Sequence, residues 1–166
     1  MSETETTWPV WLPDLLDING VPSLVFAHLY SQFRLDFLDL TCYFRGSPIH
    51  CDRRKQNEDD YEEGFWHLVS RDDYATQTRL HDARRAEKLA WCAAVIANAD
   101  DECVSVWNYL EGRGQKRTYL WLRDWDYVVI LEWKKNRSVY QLVTAFHVDE
   151  QKRHDLESRY RRREES

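Results

Sequence analysis

Scarcity comes first. Among 166 residues there are five glycines, four prolines and one methionine, which excludes collagen-like and low-complexity chains. No apolar run approaches the ~20 residues that a membrane span requires. The opening MSETETTWPVW carries acid where a secretory signal would carry base and then an apolar core, so a cytoplasmic location is expected. Four cysteines, Cys42, Cys51, Cys92 and Cys103, form no Cys-x-x-Cys pair. Thiols buried as small hydrophobes are the expectation in a reducing compartment. Cys42 and Cys51 could face each other across a hairpin, but no secretory signal supports a disulfide there.

The signatures of several chemistries are missing too. His50, Cys51 and Asp52 are adjacent and His147 and Asp149 are two apart. Neither spacing matches a structural zinc site or a helical His-Glu-x-x-His hydrolase. EGRGQKR (111–117) holds a lone Gly-x-Gly between apolar runs, without the strand-to-helix context or the Lys-Ser/Thr of a phosphate loop. No Gly-x-Ser-x-Gly elbow occurs. No metal and no cofactor are expected.

What is present is a core-forming composition: 43% hydrophobic residues, with 8 Trp, 9 Tyr and 6 Phe. The length suits a single domain, 1–166. The net charge of −6 weighs against a general nucleic-acid binder. The charges are segregated, however. Acid gathers at 2–5, 58–63 and 100–102, and base at 79–88, 113–117, 134–137 and 159–163. Such segregation can steer a polyanion to one face, although solvated loops and helix ends are the plainer reading of any one run.

Trp8, Pro9, Trp11 and Pro13 describe an arm held by aromatic residues. Pro22 opens a predicted helix over 22–40, with Leu29, Phe33, Phe37 and Leu40 at helical spacing. Residues 41–52 read as two short strands around Gly46-Ser47-Pro48, and 71–82 as polar and turn-like. Residues 82–99 predict a helix capped by Asp82, with Leu89, Cys92, Val95, Ile96 and Ala99 as its buried stripe. Four β-branched and aromatic runs follow, at 104–111, 117–122, 127–133 and 139–148, and a charged helix from about 150 to 163 closes the chain. The predicted fold is α+β: a twisted antiparallel sheet of four or more strands, N-terminal helices on one face, and a C-terminal helix.

Once metal sites and phosphate loops are set aside, the remaining chemistry-bearing residues are His67, Arg71, Arg84, Arg85, Lys88, Tyr140, Thr144 and His147. Metal-free RNA cleavage needs a base for the 2′-hydroxyl, a cation for the phosphate and an acid for the leaving 5′-oxygen. Histidine titrates near neutrality, and the planar arginine fork matches two phosphate oxygens. Each residue also has a plain structural reading: a core histidine in FWHLV, a solvated helix face, a strand threonine, a packing tyrosine.

The order of segments adds a resemblance. FWHLVSRDD (65–73), RLHDARRAEKLAWCAAVI (79–96) and LWLRDWDYVVILEWKKNRSVYQLVTAFHVDE (120–150) resemble the phage-associated branch of the barnase–EndoU–colicin–RelE class of RNases. In that group an FWHL stretch precedes a helix with an Arg-x-Glu-Arg/Lys-hydrophobic-x-Trp pattern, here Arg85 to Trp91. A strand opening in Asp-x-x-Tyr-Val-Val and a last strand ending in Thr-Ala-Tyr follow. The resemblance covers residues 64–150, with 1–63 as an elaboration and 151–166 as a basic helix. It implies His67 as general acid–base, Arg85 and Lys88 as a phosphate clamp, and Thr144 as a sheet hydroxyl. Arg71 and Arg84 are secondary substrate contacts. One departure stands out: the family tyrosine is Phe146 here. Period-two counting puts Tyr140 on the face of Thr144 and Phe146, where it could substitute, and puts His147 on the opposite face.

The expectation is a metal-independent endoribonuclease that leaves a 2′,3′-cyclic phosphate. Its partners would be RNA and an inhibitory protein, with no membrane; a toxin–antitoxin or mobile-element setting follows from the resemblance alone. Phe146 and the net charge favour the alternatives: a non-catalytic binding protein on the same fold, or an acidic antitoxin-like protein.

Overall fold

The computed structural model describes residues 7–55, 61–73 and 78–164. The acidic stretches 2–5 and 58–60, and residues 74–77 of the turn-like region 71–82, lie outside them. The arm is tied down as its aromatic content predicts. Trp8 meets Trp91 edge-on at 5.3 Å, Trp91 Nε1 donates to Pro13 O at 2.8 Å, and Trp11 Nε1 donates to Asp101 at 3.0 Å.

Helix α1 (Pro22–Phe33) starts on its proline and runs into a π-helical turn (Arg34–Asp39) that carries Phe37 inward. Strands β1 (Tyr43–Phe44) and β2 (Ser47–His50) form a hairpin across Arg45 and Gly46, both at positive φ. Two left-handed central residues match the twist of a two-residue hairpin loop. Helix α2 (Glu63–Val69) holds the FWHL stretch. The region read as turn-like contains a small antiparallel ladder, β3 (Ser70–Asp73) with β4 (Thr78–His81). The sequence of these two segments has a single apolar residue, Leu80, so it held no apolar alternation to read.

The predicted 82–99 helix is two helices, α3 (Ala83–Glu87) and α4 (Leu89–Ala97), broken at Lys88. Asp82 caps α3 as expected, accepting from the backbone N–H of Arg84 and Arg85. Strands β5 (Ser105–Leu110), β6 (Lys116–Leu122), β7 (Tyr127–Lys134) and β8 (Val139–His147) form the predicted antiparallel meander. Helix α5 (Glu150–Arg161), capped by Asp149, follows. The sheet extends past the meander: β2 lies parallel to β8, giving the order β1-β2-β8-β7-β6-β5. The fold is therefore α+β, and residues 43–50 belong to the main sheet.

Each face of the sheet has its own core. One packs Leu29, Phe33, Phe65, Trp91 and Ile96 from the helices on Leu120, Tyr127, Val129 and Leu131. The other packs Leu156 and Tyr160 of α5 on Trp107, Tyr119, Trp121, Val128 and Ile130. Beyond α5, Glu164 N donates to Asn108 O at 3.0 Å and the Glu164 carboxylate meets Lys116 at 3.0 Å, both on the outer strands β5 and β6.

The β7–β8 register shifts once. Ile130 faces Thr144 but Leu131 faces Leu142, leaving Val143 as a bulge. One extra residue reverses the inward–outward alternation along a strand. Tyr140 consequently packs in the helix-side core while Thr144 and Phe146 fall out of phase with it. The expectation that these three share a face is corrected by the bulge. His147, opposite Tyr127, lies on the helix side, across the strand from Thr144 and Phe146 as period-two counting has it.

Candidate functional site

The break between α3 and α4 is made by a buried cation. Lys88 is 7% exposed, and its Nζ donates to Trp125 O at 3.1 Å and Asp126 O at 3.5 Å and meets His147 Nδ1 at 2.9 Å. An ammonium has three protons and no acceptor, so three acceptors match it completely. Asp126 is in the left-handed region (φ 54), which turns its carbonyl to both Lys88 and Val148 N. Burial lowers the Lys88 pKa first, against the opposing pull of Asp126 and Glu87.

With Lys88 donating to Nδ1, a neutral His147 keeps its proton on Nε2. That nitrogen faces Arg84 Nη1 at 3.3 Å. Arginine can only donate, so two donors converge on one point. An oxygen with lone pairs for both resolves the conflict, and an anionic oxygen resolves it best. Burial first, then Lys88 and Arg84, hold the His147 pKa below its ordinary range.

The two donors open onto a cleft of about 820 Å³ that Arg71, Lys152 and Arg153 also line. Four carboxylates, Asp82, Asp126, Asp149 and Glu150, also line it, and three of them are committed. Asp82 and Asp149 cap α3 and α5, and Asp126 pairs with Arg153 at 2.6 Å. Arg71, Arg84 and Lys152 make no ion pair among the described residues. Lys152 is pushed below the ordinary lysine range by burial first, then by Arg85 and Arg71. The N-terminus of the twelve-residue α5 adds its own positive end to the cleft. The donors of Arg84 and His147, with Lys88 behind the ring, are the part of this mixed-charge cleft that can accept an anionic oxygen.

The remaining predicted residues divide among other duties. Arg85, with a side chain only 14% exposed, donates to the carbonyls of His67 (3.3 Å) and Ser70 (2.9 Å) and lies over the Phe146 ring at 5.3 Å. It joins α3 to the end of α2. Thr144 Oγ1 donates to the same His67 carbonyl at 3.1 Å. The His67 ring instead lies 3.8 Å from Glu63, and His67 contributes, after Arg54, to holding the Asp52 carboxyl low. It is thus the His67 backbone that meets Arg85 and Thr144. Tyr140 packs between Phe44 and Trp133, each 4.9 Å away. Arg71, Arg84 and Lys88 thus belong to the His147 cleft.

Sequence reading weighed His147 but set it apart from Thr144 by strand face, and it missed Lys152 and Arg153 as members of that site. HVDEQKR (147–153), a strand end followed by a capping Asp and two cations, was the available signal. Among the described residues, no group of three His, Cys, Asp or Glu side chains could hold a metal ion, and no helix is long and apolar enough to cross a membrane. No protein-family model, curated protein or solved structure matches the chain.

Proposed function

We propose that the His147 cleft binds the phosphodiester of RNA and that the protein is a cytoplasmic, metal-independent endoribonuclease. The convergence of Arg84 Nη1 and His147 Nε2 at 3.3 Å, with Lys88 fixing the ring from behind, carries this reading. A non-bridging phosphate oxygen accepting from both donors satisfies them. Arg71 and Lys152 lie on the same cleft to meet the charge that builds at phosphorus.

In the step itself the 2′-oxygen bonds to phosphorus and its proton leaves to water. The P–O5′ bond breaks, and Lys152, a stronger acid than an ordinary lysine, gives its proton to the departing 5′-oxygen. The products are a 2′,3′-cyclic phosphate and a 5′-hydroxyl. The family resemblance of residues 64–150 supports the same chemistry, with the proton-bearing role moved from His67 to this cleft. An inhibitory protein partner and a mobile-element setting rest on that resemblance only.

A second reading is favoured by Phe146. With no tyrosine hydroxyl in Thr144-Ala145-Phe146, the cleft would bind RNA without cutting it. Purified protein is incubated with mixed RNA in EDTA beside Arg84→Ala and His147→Ala, and the cleaved ends are analysed. Cyclic-phosphate ends that survive chelation and disappear in both variants support the enzyme. RNA binding without cleavage across a wide pH range supports the binder, and neither binding nor cleavage overturns both.

A further inference from the structure

We infer that the other end of β8 carries a second contact for single-stranded RNA, in which Trp133 stacks on a base and cations of the β7–β8 turn hold the backbone. This inference rests on the RNA reading of the His147 cleft.

A cleft of about 800 Å³ lies where the residues after β2 meet the β7–β8 turn, lined by His50, Arg53, Arg54, Lys134, Arg137 and Gln141. A second hollow of about 420 Å³ shares Lys134, Arg137 and Gln141 with it and adds Trp133 and Lys135. The two form one continuous surface. Arg54 is engaged by Asp52 at 2.7 Å and Lys134 by Glu132 at 3.3 Å. Arg53, Lys135 and Arg137 make no ion pair among the described residues.

Trp133 distinguishes this surface from a solvated basic turn. It is 42% exposed, and it is held from beneath. Tyr140 lies against it at 4.9 Å, and Phe44 braces Tyr140 edge-on at 4.9 Å. A rigid, half-open indole ringed by cations presents a π-face to a nucleobase and charge to its phosphates, which is how sequence-tolerant single-strand binders work. An acidic peptide would use the cations and leave the indole idle.

Spacing links the two sites. From Gln141 to His147 is six residues of one strand, about 20 Å at ~3.3 Å each. At a rise of ~3.4 Å per nucleotide, a stacked strand of about six nucleotides spans that distance. Helix α2 lies between the two clefts, bonded to β8 through Thr144 and His67 O.

The test uses 2′-O-methyl oligonucleotides of 2 to 12 residues, which lack the attacking hydroxyl, with affinity read by anisotropy and stacking by tryptophan quenching. In the wild type, affinity should step up as length passes about six. Trp133→Ala and Arg137→Gln should each weaken the 8-mer about 5-fold or more and leave the trimer unchanged. Trp133→Phe should retain most of the affinity, and an unchanged melting temperature confirms folding. Full 8-mer affinity in both Trp133→Ala and Arg137→Gln overturns the second contact while leaving the His147 cleft standing, provided Arg84→Ala still abolishes binding. Equal competition by polyglutamate, without quenching, overturns it in favour of a protein-binding surface. No wild-type binding at any length overturns the RNA reading itself.

Discussion

Lys88 Nζ lies 2.9 Å from His147 Nδ1, so a buried ammonium from a helix break holds a histidine at the end of the last strand. The ring's other nitrogen is thereby presented to the cleft as a donor. The charge of the lysine and the state of the histidine are linked, which gives the first prediction.

Replacing Lys88 by Gln removes a positive charge from His147 and keeps a donor for the Trp125 or Asp126 carbonyl. The His147 pKa should rise toward the ordinary value of about 6.5, without fully reaching it because burial, the larger cause, remains. A histidine titration by NMR reads this directly. A His147 pKa that is unchanged or lower in the variant would contradict the pairing.

The depressed His147 pKa also sets a slope in stability. Between pH ~6.5 and the folded value, the unfolded chain binds more protons at this site than the native one. Its contribution is therefore full above pH ~6.5 and declines as pH falls through that window. Urea midpoints measured from pH 7.5 down to 5.0 should fall less for His147→Gln than for wild type. Parallel declines would count against the assignment.

Neighbouring arginines should behave oppositely. Arg84 is exposed and reaches the cleft, whereas Arg85 is mostly buried against two carbonyls. Arg84→Ala should cost less than about 0.5 kcal/mol of stability and lower cleavage by about 10²-fold or more. Arg85→Ala should cost about 1–3 kcal/mol, because the carbonyls of His67 and Ser70 lose a charged donor. Parallel melting and cleavage measurements separate the two roles.

Thr144 is placed here as a clasp. Its hydroxyl donates to His67 O, so Thr144→Val should lower stability by about 1 kcal/mol. Cleavage per folded molecule should change little. A selective loss of cleavage with stability intact would return Thr144 to the phosphate.

Much of the fold was legible because it rests on local rules. Asp82 capped a helix where a cap was expected, the β-branched runs became β5 to β8, and the tryptophan arm was anchored. The misreadings have physical causes. Helix α2 is only seven residues long and its Glu62 makes no side-chain cap, so FWHLV showed neither period nor signal. Lys88 fits a helical heptad and breaks the helix only because Trp125 O, Asp126 O and His147 draw it inward from a distant segment. The bulge at Val143 depends on β7, so counting by twos along β8 alone misassigned Tyr140, although it placed His147 correctly on the face opposite Thr144 and Phe146. Of the residues chosen for the site, Arg71 and Arg84 line the cleft and Lys88 backs it, while Tyr140, chosen by strand parity, lies elsewhere.

The tail past α5 has a consequence for solubility. The sheet ends on one side in β1, two residues long, and on the other in β5, whose Asn108 carbonyl accepts from Glu164 N. A bare six-residue edge strand is a template for pairing with another chain, and here a short return of the backbone obstructs it. Shortening the chain after Arg161 would strip that guard together with the Lys116–Glu164 ion pair. Association between copies should then appear, by light scattering, at concentrations where the longer chain shows none, an outcome that would make residues 162–164 a steric brake on self-assembly.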